Sequence, residues 1–143
     1  MNLTDYIKKE QDKGHYIGMV LLDLQKAFDT VDHKILLQKL EAIGLQKSAI
    51  DWFQSYLVDR QQSVEIGGMI SEPAIITCGV PQGSILGPLL FLIYVNDIPS
   101  AARCKSLLYA DDTALIISGT NTKDIHDELS LELGSIREWL IDN

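Results

Sequence analysis

Three aspartates lie where apolar runs end, and they are the residues best placed to do chemistry. Asp23 follows the apolar residues 19–22, and Asp111 and Asp112 follow residues 107–110, which are also largely apolar. A carboxylate beside a hydrophobic core is disfavoured unless it is hydrogen-bonded, protonated or bound to a cation, and three close together also repel one another. Because Mg²⁺ prefers oxygen ligands, a divalent cation relieves both costs. The pattern therefore indicates a site for divalent metal ions.

A carboxylate site of this kind has a characteristic chemistry. Two Mg²⁺ ions about 4 Å apart can activate an attacking hydroxyl and stabilise a leaving pyrophosphate during in-line displacement at phosphorus. The chemistry indicated is therefore phosphoryl or nucleotidyl transfer. Two adjacent aspartates are also typical of a hairpin turn, and Asp29 and Asp32 are more typical of a turn residue and a helix N-cap. The spacing of the acids alone leaves both interpretations open.

Strands must position these aspartates. A β-rich, apolar segment over residues 15–24 carries Asp23, and two strands over residues 106–109 and 113–118 place the acidic pair at a hairpin. The adjacent glycines at positions 67 and 68 separate two more strand-like runs, which predicts a second hairpin.

Helices are predicted between the strands. One follows Asp32 as its N-cap, and the next is capped by Ser48. A buried helix covers residues 84–98 and is ended by Pro99, and a closing amphipathic helix is capped by Thr122. This mixture predicts an α+β fold in which helices pack on one face of an antiparallel sheet.

Composition limits the classes of protein that fit. A chain of 143 residues with 46% hydrophobic and 22% charged residues is sized for one globular core or a piece of one. Its longest apolar run, residues 89–95, is far below the roughly 20 residues of a membrane span, and its start does not resemble a secretion signal. We therefore expect an intracellular protein, in the nucleus or the cytoplasm, with no membrane partner. The two cysteines, Cys78 and Cys104, match no metal-binding spacing and are predicted to be buried in a reducing compartment.

The net charge of −8 argues against a protein that binds nucleic acid and acts on its phosphates. A module that grips nucleic acid normally presents excess lysine and arginine to the phosphates. Bound divalent cations offset part of the acidic charge, and neighbouring segments can supply a basic grip. By charge alone Lys26, Lys34 and Arg60 are candidate phosphate contacts, although solvated surface positions explain them better.

Three strings in the sequence resemble successive motifs of reverse transcriptases: LLDLQKAFDTVDH, GVPQGSILGPLLFLIYVNDI and LLYADDTALI. Their wording is most similar to the branch found in non-long-terminal-repeat retrotransposons, and the resemblance extends from about residue 15 to residue 139. It implies that residues 1–143 are a partial reverse transcriptase domain, the polymerase palm core, without the fingers and thumb. It also implies a fragment that is inactive alone.

The resemblance assigns the metal ligands residue by residue. It implies that Asp23 and Asp111 bind both Mg²⁺ ions, that Asp112 lies beside them, and that the backbone carbonyl of Leu24 is a further ligand. Mn²⁺ is an alternative ion. In a regular strand Asp111 and Asp112 would point to opposite faces, so Asp112 is the weakest of these assignments.

The resemblance also assigns the nucleotide side of the site. It implies that the ring of Phe28 lies under the sugar of the incoming nucleotide, where it would collide with a 2′-hydroxyl and so favour deoxynucleotides. It implies that Pro81, Gln82 and Gly83 line the pocket for nucleotide and template. Tyr109 either contacts the primer end or packs. Without the surrounding motifs, Phe28 would be interpreted as a core residue and the loop as an ordinary turn.

The partners implied are an RNA template, a DNA primer, deoxynucleoside triphosphates, the fingers and thumb segments, and an endonuclease domain of the full-length protein. Two other interpretations are kept beside this one. The chain could be a catalytically silent palm-like scaffold or RNA-binding module, which its acidity favours, or the palm of a viral RNA-dependent RNA polymerase, which Phe28 and the YADD string disfavour.

Overall fold

A computed structural model describes residues 2–109 and 112–143 and divides the chain into two compact units. Unit 1 combines Met1–Gln25 with Asp97–Asp142, and unit 2 comprises Lys26–Asn96 together with Asn143. Both units combine helices with antiparallel strands, so the α+β prediction is confirmed.

Unit 1 is built on a three-stranded antiparallel sheet of order β1-β7-β6. These strands are β1 (Tyr16–Asp23), β6 (Lys105–Tyr109) and β7 (Asp112–Gly119), which match the three predicted strands within two residues. The unit also contains helices α1 (Leu3–Asp12), α5 (Ile98–Ala101) and α6 (Thr122–Asp142).

The two faces of this sheet carry different helices. Gly18 lies under α6, where a Cβ atom at that position would be 2.4 Å from Cγ2 of Ile125. On the opposite face, the hydroxyl of Tyr6 in α1 is 3.0 Å from that of Ser118. The prediction of helices on one face is therefore wrong for unit 1. The reason is that α1 was not predicted, because its sequence is largely polar and two of its contacts with the sheet, those of Tyr6 with Ser118 and Lys105, involve residues far along the chain.

Unit 2 contains helices α2 (His33–Ala42), α3 (Lys47–Leu57) and α4 (Leu86–Val95). Its fully buried side chains are all apolar, and they are Val31, Leu36, Leu40, Leu57, Leu90 and Phe91. Helix α4 is apolar throughout, but only part of its surface is buried, and Leu89 and Leu92 are about half exposed.

Four short strands complete unit 2. They are β2 (Gln61–Gln62), β3 (Glu65–Ile66), β4 (Met69–Ile70) and β5 (Ala74–Ile75). β3 pairs with β4 across Gly67 and Gly68, which both have positive φ, so the predicted hairpin is confirmed. β2 pairs with β5 and forms a second small ladder beside it.

The predicted helix ends are partly right. Asp32 caps α2 as predicted, and its carboxylate accepts the backbone N–H of Lys34 at 2.7 Å. Ser48 lies inside the first turn of α3, and Asn121, not Thr122, caps α6 by accepting the N–H of Lys123. At α6 the error arises because Asn121 and Thr122 are neighbouring polar residues that could each cap the helix, whereas the N-cap of α3, Gln46, makes no side-chain capping hydrogen bond.

Pro99 does not end the predicted helix over residues 84–98. Helix α4 ends at Val95, and Pro99 lies in the first turn of the short helix α5. A proline is well tolerated there because the backbone N–H that it lacks would have no partner within the helix.

The cysteine prediction is wrong for Cys78, which is exposed, while Cys104 is half-buried. Cys78 lies in the segment after β5 and forms an isolated bridge with Asp32, so its position is fixed by backbone pairing and not by burial of its side chain. Among the helices of the described residues, none combines the length and apolarity needed to cross a membrane.

The segment preceding α2 is tied to the loop that follows β5. The N–H of Gly79 donates to the carbonyl of Val31 at 2.8 Å, and the N–H of Val80 donates to that of Phe28 at 2.7 Å. The buried ring of His33 completes the connection, since its Nε2 donates to the carbonyl of Gly79 at 2.7 Å. Three hydrogen bonds therefore fix these two segments against each other.

Replacing Gly79 with alanine should destabilise the chain. Gly79 has φ +90°, and an added Cβ would lie 2.9 Å from both the Cα and the carbonyl oxygen of Asp29. We expect Gly79→Ala to lower the free energy of unfolding by about 1–3 kcal/mol in urea titrations. The control is Gly134→Ala in α6, where the added Cβ meets no heavy atom within 4 Å. Alanine there should stabilise the helix by up to about 1 kcal/mol. Equal effects of the two substitutions would contradict the close packing at Gly79.

Unit 1 should lose stability in acid through Glu10. Hydrogen bonds from Lys13 at 2.7 Å and His15 at 2.8 Å lower the pKa of this carboxyl from 4.5 to about 2. Because the folded-state pKa is depressed, the ionised carboxylate stabilises the fold above pH 4.5, and this contribution disappears as the pH falls to about 2. Thermal unfolding followed by circular dichroism should show that Glu10→Gln lowers Tm at pH 7 but has little effect near pH 2. Glu41→Gln, at an exposed position in α2, serves as the control, and a Glu10→Gln effect independent of pH would refute the assignment.

Candidate functional site

Two of the three predicted metal-binding aspartates face each other in unit 1. Asp23 is the last residue of β1, and it pairs directly with Asp112, the first residue of β7. Directly paired residues of antiparallel strands have Cα atoms about 5 Å apart and place their side chains on the same face of the sheet. Both aspartates are exposed. The register therefore brings two carboxylates together at one end of the sheet.

These carboxylates lie on the face opposite α6. By strand alternation the same face carries Met19 and Leu21, which are 48% and 72% exposed. Helix α1 contacts this face at Ser118, near the far end of β7. The end that carries Asp23 and Asp112 is therefore open within unit 1.

The chemistry of these two residues fits a hard divalent cation. Among the described residues, no lysine, arginine or histidine forms an ion pair with Asp23 or Asp112. Two neighbouring carboxylates without a counter-ion repel each other, and Mg²⁺ or Mn²⁺ would relieve that repulsion through oxygen ligands. Within residues 2–109 and 112–143 there is no group of three acidic, histidine or cysteine side chains that could hold a metal ion.

The other residues predicted for this site are Asp111, Leu24 and Tyr109. Asp111 lies outside the described residues, so its predicted role is not tested by the structure. Leu24 directly follows β1 and is half-buried. Tyr109 is the last residue of β6, and its backbone pairs with that of Asp112. The strands on both sides of β7 thus end beside Asp112.

Phe28 belongs to unit 2, in the turn that precedes α2. Its ring is half-buried and packs against that of Phe91 in α4, with the centroids 4.6 Å apart and the planes inclined by 34°. Since Phe91 is almost fully buried, it supports the ring of Phe28 from the core. Both interpretations made from the sequence, a packed aromatic residue and an aromatic wall for a sugar, are compatible with this arrangement.

Gln82 is held by a neighbour that was assigned only a turn role from the sequence. Its side-chain nitrogen donates to Oδ1 of Asp29 at 2.8 Å. A carboxylate accepts hydrogen bonds and cannot donate them, so the amide must turn its nitrogen toward Asp29. The amide oxygen of Gln82 is then oriented to accept a hydrogen bond from another donor.

The loop around Gln82 is fixed at both ends. Gly83 has φ +76°, a conformation that favours glycine. The hydroxyl of Ser84 donates to the carbonyl of Pro81 at 2.7 Å and accepts the N–H of Gly87 at 2.8 Å. Ser84 therefore joins the loop to the first turn of α4.

A cleft of about 580 Å³ opens beside this loop in unit 2. Its lining mixes polar and apolar residues, and it consists of Asp29, Arg60, Gln61, Gln62, Ile76, Cys78, Gly79, Val80, Pro81 and Gln82. Arg60 thus lines the same cleft as Pro81 and Gln82, whereas Lys26 and Lys34 are exposed and are not part of the lining. Of the three cations considered from the sequence, the structure places Arg60 beside the loop.

Sequence reasoning did not find the roles of Asp29 and His33. Asp29 contacts Gln82 across 53 residues, and His33 contacts Gly79 across 46. Local patterns carry no information about contacts so distant in sequence. A correlated pair of positions in an alignment is the kind of signal that could have found them.

The whole described chain has recognisable relatives. Residues 2–143 match the family model described as reverse transcriptase (RNA-dependent DNA polymerase). The chain is 34% identical, over 96% of its length, to a probable RNA-directed DNA polymerase from transposon BS of Drosophila melanogaster. It is also 34% identical, over 97% of its length, to the RNA-directed DNA polymerase from mobile element jockey of Drosophila funebris. A retrovirus-related Pol polyprotein from type-1 retrotransposable element R2 of Popillia japonica is 35% identical over 80% of the chain.

The matches cover small parts of these relatives. The chain spans 16% of the transposon BS and jockey proteins and 21% of the R2 protein. The family model nevertheless covers nearly the whole chain, and it includes all three motif strings. The chain therefore belongs to the reverse transcriptase family, among the members of non-long-terminal-repeat retrotransposons.

Proposed function

We propose that this chain is the palm segment that carries the metal site of an RNA-directed DNA polymerase. In the whole polymerase, the primer 3′-hydroxyl attacks the α-phosphate of a deoxynucleoside triphosphate that is paired with an RNA template. The observation that supports this function best is the direct pairing of Asp23 with Asp112 on an open face of the sheet.

The metal ligands in this proposal are the carboxylates of Asp23, Asp111 and Asp112 and the backbone carbonyl of Leu24. When bound there, Mg²⁺ ions would offset the negative charge that develops on the reacting phosphate. The chain contributes a sheet register that holds carboxylates from two strands at one place. It also keeps lysine and arginine out of ion pairs with Asp23 and Asp112 among the described residues.

Sugar selection is assigned to Phe28. The buried ring of Phe91 packs against the ring of Phe28. The Phe28 ring therefore has little room to move away from a group that contacts its other side. A ribose 2′-hydroxyl pressed against such a ring would clash, whereas a deoxyribose would fit. A ring supported by the core is a better selector than a mobile ring.

In this proposal Pro81, Gln82 and Gly83 of unit 2 contact the nucleotide and the template. Tyr109, the last residue of β6 in unit 1, is assigned separately as a nucleotide-binding residue. Gln82 carries no charge, and its amide oxygen can accept a hydrogen bond from a sugar or backbone donor whatever the base. Asp29 fixes the orientation of that amide. The pocket is thus suited to a polymerase that must accept all four nucleotides.

Removing one metal-binding carboxylate should stop the reaction. In a polymerase in which this chain replaces the matching segment of the transposon BS relative, Asp23→Asn and Asp111→Asn should each abolish template-directed incorporation of deoxynucleotides. In the 143-residue chain alone, Asp23→Asn and Asp112→Asn should weaken Mn²⁺ binding, followed by the relaxation of water protons, by about tenfold or more.

Asp124→Asn serves as the control because Asp124 is an exposed acid in the first turn of α6. An equal loss of Mn²⁺ affinity in this variant would show that the metal binds diffusely to surface acids. If the unaltered chain bound no Mn²⁺ and the chimeric polymerase were inactive, the catalytically silent scaffold would be the better explanation. Unchanged activity of the chimeric polymerase in Asp111→Asn would refute the metal-binding role of that residue.

Shrinking the aromatic residue at position 28 should relax sugar choice. Phe28→Val removes the ring that would meet a 2′-hydroxyl, so incorporation of ribonucleotides relative to deoxynucleotides should rise at least tenfold in the chimeric polymerase. The ratio is measured as kcat/KM for the two nucleotides. Tyr16→Val, at an exposed aromatic position at the start of β1 with no proposed role in binding, is the control. An unchanged ratio in Phe28→Val would reject the sugar-selecting role.

A further inference from the structure

An exposed stack of side chains runs along α3 in unit 2. Trp52 and Tyr56 are four residues apart and therefore neighbours on one face of the helix. Their rings lie 5.5 Å apart and are inclined by only 7°. The guanidinium carbon of Arg60 lies 5.6 Å from the centre of the Tyr56 ring, on the chain just after the helix. The three side chains form a ladder of planar groups, which we call the Trp52–Arg60 stack.

This stack is not part of the core of unit 2. Trp52 is 52% exposed, whereas the fully buried side chains of the unit are aliphatic residues and Phe91. Phe53 meets the Trp52 ring edge-on at 5.0 Å, with an interplanar angle of 83°. The indole is thus supported by two aromatic rings while much of its surface remains in water. Such an arrangement presents a pre-organised flat apolar surface to a ligand.

Arg60 links the stack to the cleft beside Gln82. Its carbonyl accepts the N–H of Ile76 at 2.9 Å, and the next residue, Gln61, pairs with Ile75. The preceding residue, Asp59, has φ +60°, which turns the chain sharply between α3 and β2. The backbone of Arg60 is therefore fixed where its side chain both packs on Tyr56 and lines the cleft.

From this geometry we infer that the Trp52–Arg60 stack and the adjoining cleft form a binding track for single-stranded nucleic acid. Unpaired bases would stack on Trp52, a phosphate would bind the guanidinium of Arg60, and the cleft amides would contact the sugar-phosphate backbone. Aromatic faces and neutral amides bind any base sequence, as a strand that is about to be copied requires. The inference rests on the proposed function, because it gives that strand the role of the unpaired template.

The track carries few charges, so a nucleic acid bound there would be held mainly by stacking. Arg60 is the only cationic residue among those that line the cleft, and Asp29 in the same lining accepts from Gln82. On α3 the exposed carboxylate of Asp51 pairs with Lys47 at 3.5 Å, so neither adds a strong charge to the track. With about one phosphate contact, the logarithm of the binding constant should fall with the logarithm of salt concentration with a slope of about −0.7. A track dominated by lysine and arginine would give a far steeper slope.

The test uses the 143-residue chain and a 12-nucleotide uridine oligomer that forms no internal pairs. Binding is measured by the anisotropy of a labelled oligomer, and the site is identified by quenching of indole fluorescence in Trp139→Phe, which leaves Trp52 as the single tryptophan. We expect the oligomer to quench Trp52, and a duplex of the same length to quench it much less because its bases are already stacked.

The matched variants are Arg60→Gln and Arg137→Gln. Each removes one positive charge from an exposed position, but Arg137 lies on α6 in unit 1 and belongs neither to the stack nor to the cleft lining. Arg60→Gln should weaken binding of the oligomer at least fivefold, and Arg137→Gln by less than twofold. Tyr56→Leu should also weaken binding, with thermal unfolding confirming that the variant is folded.

Three outcomes would overturn the inference. The first is no binding of the oligomer at low salt, and the second is binding without quenching of Trp52 or with equal effects of the two arginine variants. The third is Trp52 emission that depends on protein concentration and not on oligomer, which would make the stack a protein interface.

Mn²⁺ binding at Asp23 and Asp112 is measured on the same samples. If Mn²⁺ binds but the oligomer does not, the nucleic-acid track is rejected and the proposed polymerase function survives.

Discussion

The pairing of β1 with β7 is the constraint on which the candidate metal site depends. The two strands pair residue by residue from Tyr16 with Gly119 to Asp23 with Asp112. Because side chains alternate between the faces of a strand, a slip of one residue would turn the carboxylate of one strand to the opposite face. The metal site therefore requires one register and no other.

That register is set on the opposite face of the sheet. Leu115 and Ile117 are buried on the side that carries α6, and Gly18 leaves the space that Ile125 of that helix occupies. A slip of β1 by one residue would put the side chain of Ile17 or Met19 where Gly18 meets Ile125, so the close packing of α6 on Gly18 fixes the register. The carboxylate pair is thus held in position by hydrophobic contacts that never touch it.

In unit 2 the loop around Gln82 is held in position by hydrogen bonds. The loop around Gln82 has no regular secondary structure, and it is held by backbone donors to Phe28 and Val31 and by the buried ring of His33. Such a loop can present a neutral amide in one orientation without a helix or strand beneath it. Because Gly79 must approach Asp29 closely, only glycine fits at that position.

Features that depend on residues close in sequence could be predicted, whereas contacts between residues distant in sequence could not. The strands, the cap at Asp32 and the Gly67-Gly68 hairpin were predicted because periodicity and turn chemistry act over a few residues. The polar helix α1 was missed, because its contacts with Ser118 and Lys105 come from the far end of the chain. The contact of Asp29 with Gln82 could not be predicted for the same reason, whereas Asp23 and Asp112 were proposed together on chemical grounds before their pairing was known. The prediction for Asp111 remains open, since that residue lies outside the described part of the chain.

The acidic charge of the chain is easier to reconcile with a nucleic-acid partner once the kinds of contact are separated. A net charge of −8 repels a polyanion at long range, but salt screens that repulsion beyond about 10 Å at 0.1 M ionic strength. At contact distance, aromatic rings, amides and one stacked guanidinium can bind bases and sugars without a positive surface. The carboxylates of Asp23 and Asp112 would attract divalent cations, which offset negative charge where a phosphate must come closest. An acidic chain is therefore physically consistent with the proposed polymerase chemistry, provided that its contacts with the strand are made by flat and neutral groups.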